Sequence, residues 1–277
     1  LIGEFRVHRA LRKYSKILRI SLVERLVYRA DFFVSTIFRF LPLVTSFLLW
    51  EAVFASSGRN DIAGFTRDNT LAYLLLVQIS RMFSSMPGLA GSITRDIRDG
   101  NLKKYLLQPI DMHAYLLASR GAHKLAYIAT AALPHALLFW WFADVFPGWP
   151  DALTFAAYAI SLLLSFVIGF FFEAAIGMAG FWLLEVTSLL YIINAVNYFV
   201  SGHMFPLDFL GPGLGEFLQY LPFQYLAYFP AMVFLGMKTG TELWVGLLIE
   251  LGWAVFFVVL ARWLYRVGLR QYSAYGG

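Results

Sequence analysis

The sequence predicts an all-α integral membrane protein with six transmembrane helices, an N-terminal amphipathic interfacial helix, and outer re-entrant helices between spans five and six. Three observations point there. Of the 277 residues 60% are hydrophobic and only 14% charged, against roughly a quarter charged in soluble domains, so lipid rather than water is expected to cover most of the exterior. Apolar runs long enough to cross a hydrocarbon core of about 30 Å recur along the chain. Lys and Arg gather in short blocks beside those runs, as positive-inside bias produces.

Residues 4–29 read as the amphipathic helix. Val7, Leu11, Tyr14, Leu18 and Leu22 recur at helical spacing, while Arg6, Arg9, Lys13 and Lys16 occupy another face. A basic helix of this kind lies in the headgroup plane; a solvated cytoplasmic helix is the alternative. The first thirty residues hold no apolar core with a small-residue cleavage site, so targeting is expected from the internal spans.

The first span is expected over about 32–55, followed by a polar loop at 56–67 and a second span over about 69–89. A charged segment, 94–111, is too polar to enter lipid. The third span, 125–146, closes at the Pro-Gly-Trp-Pro turn of 147–150. Residues 152–205 are almost continuously apolar, and as one helix would measure about 80 Å at 1.5 Å per residue, far more than one crossing. Two spans are therefore expected, with the turn near 173–185, where Glu173, Gly177, Gly180 and Glu185 fall. The sixth span covers about 241–264. Between spans five and six, 204–240 is aromatic and apolar yet broken by Pro206, Pro212, Pro222, Pro230 and several glycines. Its uninterrupted pieces have the length of re-entrant or interfacial segments. Irregular backbone at membrane depth must be buried in protein or line a cavity; as a structural plug or as a gate, the segment reads equally well.

Charge sets the orientation. The net charge is +5, with eight cations at 6–29, six at 95–124, and Arg262, Arg266 and Arg270 near the end. Six spans with both termini cytoplasmic place all of these inside. Arg59, Arg67 and Lys238 fall outside, against Asp61, Asp68, Asp144, Asp151, Asp208, Glu216 and Glu242. Cations in juxtamembrane blocks do not form a nucleic-acid surface.

No catalytic constellation is legible. The absence of Cys removes thiolate sites and nucleophiles. His8, His113, His123, His135 and His203 have no metal-ligand spacing, and neither a Gly-x-Ser-x-Gly elbow nor a Walker-type phosphate loop occurs. Energy from ATP would have to arrive through a partner. Arg39, Arg81 and Glu250 each fall inside a predicted span, where a charge costs at least ~2.5–3.5 kcal/mol unless paired or snorkelled. For the two arginines snorkelling to phosphates is the plain reading; Glu250, nearer mid-depth, is expected to face another helix.

The most informative polar stretch is the connector at 91–111. Ile93, Ile97 and the pair Leu106–Leu107 give it an apolar side, while Arg95, Asp96, Arg98 and Asp99 alternate in sign and Gly100–Asn101 ends the helix. A short helix here would dock on a cytoplasmic partner or serve as a solvated connector.

The run Ile93, Arg95, Asp96, Ile97, Arg98, Asp99, Gly100, followed by Leu106-Leu107-Gln108-Pro109-Ile110, resembles the first cytoplasmic loop of type-2 ABC exporter permeases. Ser201-Gly202, Phe205-Pro206-Leu207 and Leu221-Pro222-Phe223 resemble that family's fifth span and outer re-entrant helices. Tyr28-Arg29-Ala30-Asp31, Trp253, Arg266, Gly268 and the tail Tyr275-Gly276-Gly277 look like one bacterial subgroup, whose members export drugs, lipids or other amphiphiles.

The resemblance runs through the whole chain as a single permease domain. It implies that 4–29 is the elbow helix, that 91–111 couples to the ATPase, and that Ser201, Gly202, Phe205, Pro206, Pro222 and Phe223 shape an outer gate. It also implies a second permease subunit, itself or a paralogue, and cytoplasmic ABC ATPase subunits that carry the ATP and Mg. No cofactor is expected on this chain, and a bacterial plasma membrane is the expected location. Arg39 and Arg81 match no motif of the family. The rival readings are an ion-coupled secondary transporter, which would need no ATPase and is expected to show an inverted repeat, and a non-transporting assembly factor.

Overall fold

A computed structural model describes residues 12–23, 29–183 and 186–272, without the side chains of 29–37 and of Arg39. Helix α1 (12–23) is followed by α2 (Arg29–Ser57) and a hairpin of β1 (Asp61–Ile62) and β2 (Phe65–Thr66). Then come α3 (Arg67–Ser84), α4 (Leu89–Arg98), the single turn α5 (Lys103–Leu106), and the long helices α6 (Met112–Trp141) and α7 (Ala152–Gly177). The chain continues with α8 (Thr187–Val200), the short α9 (Leu214–Tyr220) and α10 (Tyr228–Phe234), and ends in α11 (Gly240–Leu269). The two-residue hairpin is the only sheet among the described residues. The remaining parts of 4–29, Glu185 and the tail 273–277 lie outside the described residues.

Three helical stretches are long and apolar enough to cross a membrane by length and composition: Phe40–Ser57, Ala152–Phe181 and Gly240–Leu269. Their outward surfaces carry large apolar side chains. Leu48 is 65% exposed, Leu248 68% and Val259 60%, a covering that water would penalise and lipid does not. Trp140, Trp141 and Trp149 are exposed near the end of α6 and the turn beyond it, as interfacial aromatics are.

Helix α7 is the hub, packing against α11, α3, α4 and α10, while α2 lies on α3 and α6. Small residues permit these approaches, as in membrane bundles generally. Gly169 of α7 meets the Ser84 backbone at the end of α3, Gly246 of α11 meets the Phe229 ring, and Gly268 meets Phe181. Helix α8 has no buried residue.

Several boundaries differ from those read in the sequence. The second span was expected to reach residue 89, but α3 stops at Ser84; Gly88, at φ +72°, turns the chain into α4. Helix α6 begins at Met112, where Asp111 caps it by accepting from Ala114 N–H at 2.8 Å, rather than near residue 125. The helical run begun by α7 continues through the 3-10 turn Met178–Phe181 and ends at Trp182, inside the expected window. The segment 204–240 holds α9, α10 and two short 3-10 turns, Leu207–Leu210 and Pro222–Leu226.

Candidate functional site

Helix α4 has two faces of opposite character. Ile93 is 1% exposed and Ile97 6%, and both are turned inward. A Cβ at Gly177 would stand 2.9 Å from Ile93 Cβ and 3.0 Å from the Ala90 carbonyl oxygen; one at Gly180 would stand 2.8 Å from Thr94 Cγ2. Glycine at both positions therefore lets the end of α7 lie directly on α4. Thr94 Oγ1 donates to the Gly177 carbonyl at 3.1 Å.

The other face is polar and open. Arg95, Arg98 and Asp99 are exposed, and Arg98 pairs loosely with Asp99 at 3.7 Å. Asp96 instead turns toward Lys104, 2.7 Å away. Desolvation pulls the Lys104 ammonium down, but the Asp96 hydrogen bond and the charges of Tyr105 and Asp96 together outweigh it and hold the group above the ordinary lysine value.

A Schellman motif ends α4: Asn101 N–H donates to Asp96 O at 2.9 Å and Gly100 N–H to Ile97 O at 3.4 Å, with Gly100 at φ +71° as the left-handed position requires. Beyond it Leu102 and Tyr105 are buried, whereas Leu107 is 82% exposed. The apolar side of the connector thus runs through Ile93, Ile97, Leu102 and Tyr105. The Leu106–Leu107 pair read as part of it faces outward instead.

The start of α4 has a partner that the sequence did not reveal. Gly88 offers no side chain to cap the helix, and the Glu173 carboxylate of α7 lies beside the Ala90 backbone in the first turn instead. An acidic group suits the positive end of a helix. Arg120 of α6 donates to Pro87 O at 2.9 Å, and the Lys124 ammonium donates to Ser85 O, so α6 holds the α3–α4 break through its carbonyls. In the sequence Glu173 marks only an interruption in an apolar run.

At the far end of α3, Tyr73 is fully buried and donates to the Gly202 carbonyl at 2.6 Å. Gly202 has φ +79°, and a Cβ there would stand 2.6 Å from Tyr73 Oη and 2.9 Å from Tyr228 Cβ. Tyr228 N–H donates to Ser201 O at 3.1 Å, and its hydroxyl to Asp208 Oδ2 at 2.8 Å. Ser201 and Gly202 are therefore gathered against Tyr73 and Tyr228. Pro206 is buried and Phe205 half-buried. Pro222 opens the turn Pro222–Leu226, and Phe223 packs edge-on against Phe172 of α7, ring centroids 5.5 Å apart.

Between these regions lie adjoining cavities of mixed polar and apolar lining. One of about 230 Å³ is lined by Arg81, Glu173, Asn194, Asn197, Tyr198 and His203 among others. A larger one of about 410 Å³ is lined by Gln78, Arg81, Ser85, His123 and Lys124 with Phe38, Pro42 and Met82. Arg81 borders both, its guanidinium 5.3 Å from the centre of the Tyr198 ring. Among the described residues no three His, Asp or Glu side chains converge as a metal ion would require.

Residues 40–276 match the family described as ABC-2 family transporter protein. The chain belongs to the ABC-2 transporter family. No curated protein matches it. The permease is thus a multi-pass membrane transport subunit, and its family implies association with ABC ATPase subunits.

In this ABC-2 permease the residues named from sequence fall into separate places. Ile93 through Gly100 belong to α4 and its cap; Ser201 and Gly202 lie at the Tyr73–Tyr228 junction, and Pro206 is buried a few residues on; Phe223 packs on Phe172 of α7. Glu250 of α11 is fully buried against α7. Ser161 stands beside it, short of hydrogen-bond geometry, and neither carboxylate oxygen has a partner. The Arg39 side chain lies outside the described residues.

Proposed function

We propose that this permease is the membrane subunit of an ATP-driven exporter, moving an amphiphile or other small molecule out of the cytoplasm or inner leaflet while a separate subunit hydrolyses ATP. The observation that carries the reading is the division of α4: Ile93 and Thr94 are seated on the end of α7 and the turn after it through Gly177 and Gly180, with Ile97 buried on the same side, while Arg95, Arg98 and Asp99 stand free of the core. Such a helix receives force on its charged face and passes it to the hub helix. The ATPase, with its ATP and Mg, docks on Arg95, Arg98 and Asp99, and Asp96 and Gly100 hold the shape of that surface.

The six-span arrangement has α2, α3, α6, α7, α8 and α11 crossing, both termini in the cytoplasm of a bacterium, and α1 in the headgroup layer as an elbow. In this arrangement 204–240 re-enters from the outside, and Ser201, Gly202, Phe205, Pro206, Pro222 and Phe223 close the outer mouth between two permease subunits. The burial of Pro206, Pro222 and Leu207 supports that reading, since irregular backbone at membrane depth needs protein around it.

Charge reversal tests the docking assignment. Replacing Arg98→Glu together with Asp99→Lys is expected to abolish substrate-stimulated ATPase activity of the reconstituted complex while the permease still inserts and elutes as wild type. Unchanged coupled transport overturns the assignment.

A further inference from the structure

We infer that the cavity of about 410 Å³ between α2, α3 and α6 is a binding site for the anionic headgroup of an amphiphile, with Arg81 as its principal ligand. The volume falls within the range of about 300–1,000 Å³ typical of small-molecule sites. Two cations, Arg81 and Lys124, line it, and none of the described lining residues is acidic.

Arg81 makes no ion pair among the described residues. Its neighbours are the Tyr198 ring, His203 and the open space of the cavities, the smaller of which Glu173 also lines. A guanidinium placed inside a membrane-spanning length is retained there at a cost unless something matches its charge, and its planar fork suits an oxyanion taken by two N–H groups at once. Gln78 and Ser85 add hydrogen-bonding groups on the same wall.

The rest of the lining fits a chain rather than a free ion. Phe38 and Pro42 of α2 form the opposite wall, and Phe38 and Leu41 are 69% and 61% exposed, continuous with the apolar outer surface of α2. An oxyanion held by Arg81 would therefore leave its acyl or alkyl tail against α2. Arg81 also lines the cavity of about 230 Å³ toward α8 and His203, so a headgroup held there borders the outer segment as well. The inference rests on the permease reading only in making this amphiphile the transported class; binding belongs to the chain alone.

The test uses the purified full chain in neutral maltoside micelles, without an ATPase, so its outcome is independent of ATP coupling. Titration calorimetry would compare dodecyl phosphate, zwitterionic dodecylphosphocholine and inorganic phosphate. Saturable binding of dodecyl phosphate is expected, weakened about tenfold or more by Arg81→Gln, the loss of one charge-assisted pair. Arg81→Lys should restore part of it, and Arg59→Gln, in the exposed loop, should change nothing. Inorganic phosphate should not compete at equal concentration. Equal binding of dodecylphosphocholine, displacement by inorganic phosphate alone, or wild-type affinity in Arg81→Gln overturns the inference. Should Arg81→Gln fail to elute as a folded protein, wild-type binding that does not weaken between about 0.1 and 0.5 M salt overturns it, since a charge-driven site must respond to screening.

Discussion

The Thr94 hydroxyl and the Gly177 carbonyl, 83 residues apart in the chain, meet at 3.1 Å, and this bond joins α4, a short helix with an exposed charged face, to the helix around which the bundle is built. Gly177 accepts that neighbour because it has no side chain. Any movement of α4 must carry the end of α7 with it, since interfaces packed this closely shift as units.

Gly177→Ala should therefore push α4 from its seat. The added methyl meets Ile93 Cβ and the Ala90 carbonyl at 2.9 and 3.0 Å, an overpacking that costs typically about 1–3 kcal/mol. A lower thermal midpoint in detergent is the expected readout; an unchanged midpoint would show that α4 floats freely on α7.

Glu173 offers a second handle on the same helix. Glu173→Leu removes the carboxylate that lies beside the Ala90 backbone, where polar oxygen suits the positive end of a helix, whereas Glu173→Gln keeps a polar oxygen there. Amide exchange in the first turn of α4 should accelerate markedly in the leucine variant and much less in the glutamine one. Equal exchange in the two would contradict the capping role.

At the other junction, Gly202→Ala faces both a positive φ and the Tyr73 hydroxyl. Tyr73→Phe deletes only the hydrogen bond to the Gly202 carbonyl. The glycine variant should be the more damaging, and Tyr73→Phe should cost about 1–3 kcal/mol because a buried carbonyl loses its donor. Thermal unfolding in one detergent, compared across the two, decides the order.

Asp208 and Tyr228 are joined at 2.8 Å, so Asp208→Asn and Tyr228→Phe should not add. A double-mutant cycle is expected to show a coupling of about 0.5–3 kcal/mol, as residues in one hydrogen-bond network do. Additivity within about 0.3–0.5 kcal/mol would mean that the bond contributes nothing to the segment.

The sequence makes some of this architecture legible and hides the rest for definable reasons. Helices α2, α7 and α11 are readable because each is a long apolar run, and the two faces of α4 follow from Ile93 and Ile97 alternating with charges. The early start of α6 at Met112 was missed because Arg120 and Lys124 look like residues of a solvated connector; their partners are carbonyls of Pro87 and Ser85, which no local pattern announces. The end of α3 was signalled by Pro87 and Gly88, a breaker pair, but the apolar residues beyond them mask it. The cavities around Arg81 depend on α2, α3, α6 and α8 coming together, and the Tyr73–Gly202 contact spans 129 positions; neither relation leaves a trace in spacing.

The most direct measurement exploits the absence of native Cys. A single Cys introduced as Arg98→Cys on the open face of α4 would be probed in intact cells with a membrane-impermeant maleimide, then again after permeabilisation. The docking account predicts no labelling until the membrane is opened, and a cross-link from that position to an ABC ATPase subunit. Labelling of intact cells would put α4 on the wrong side of the bilayer and contradict it.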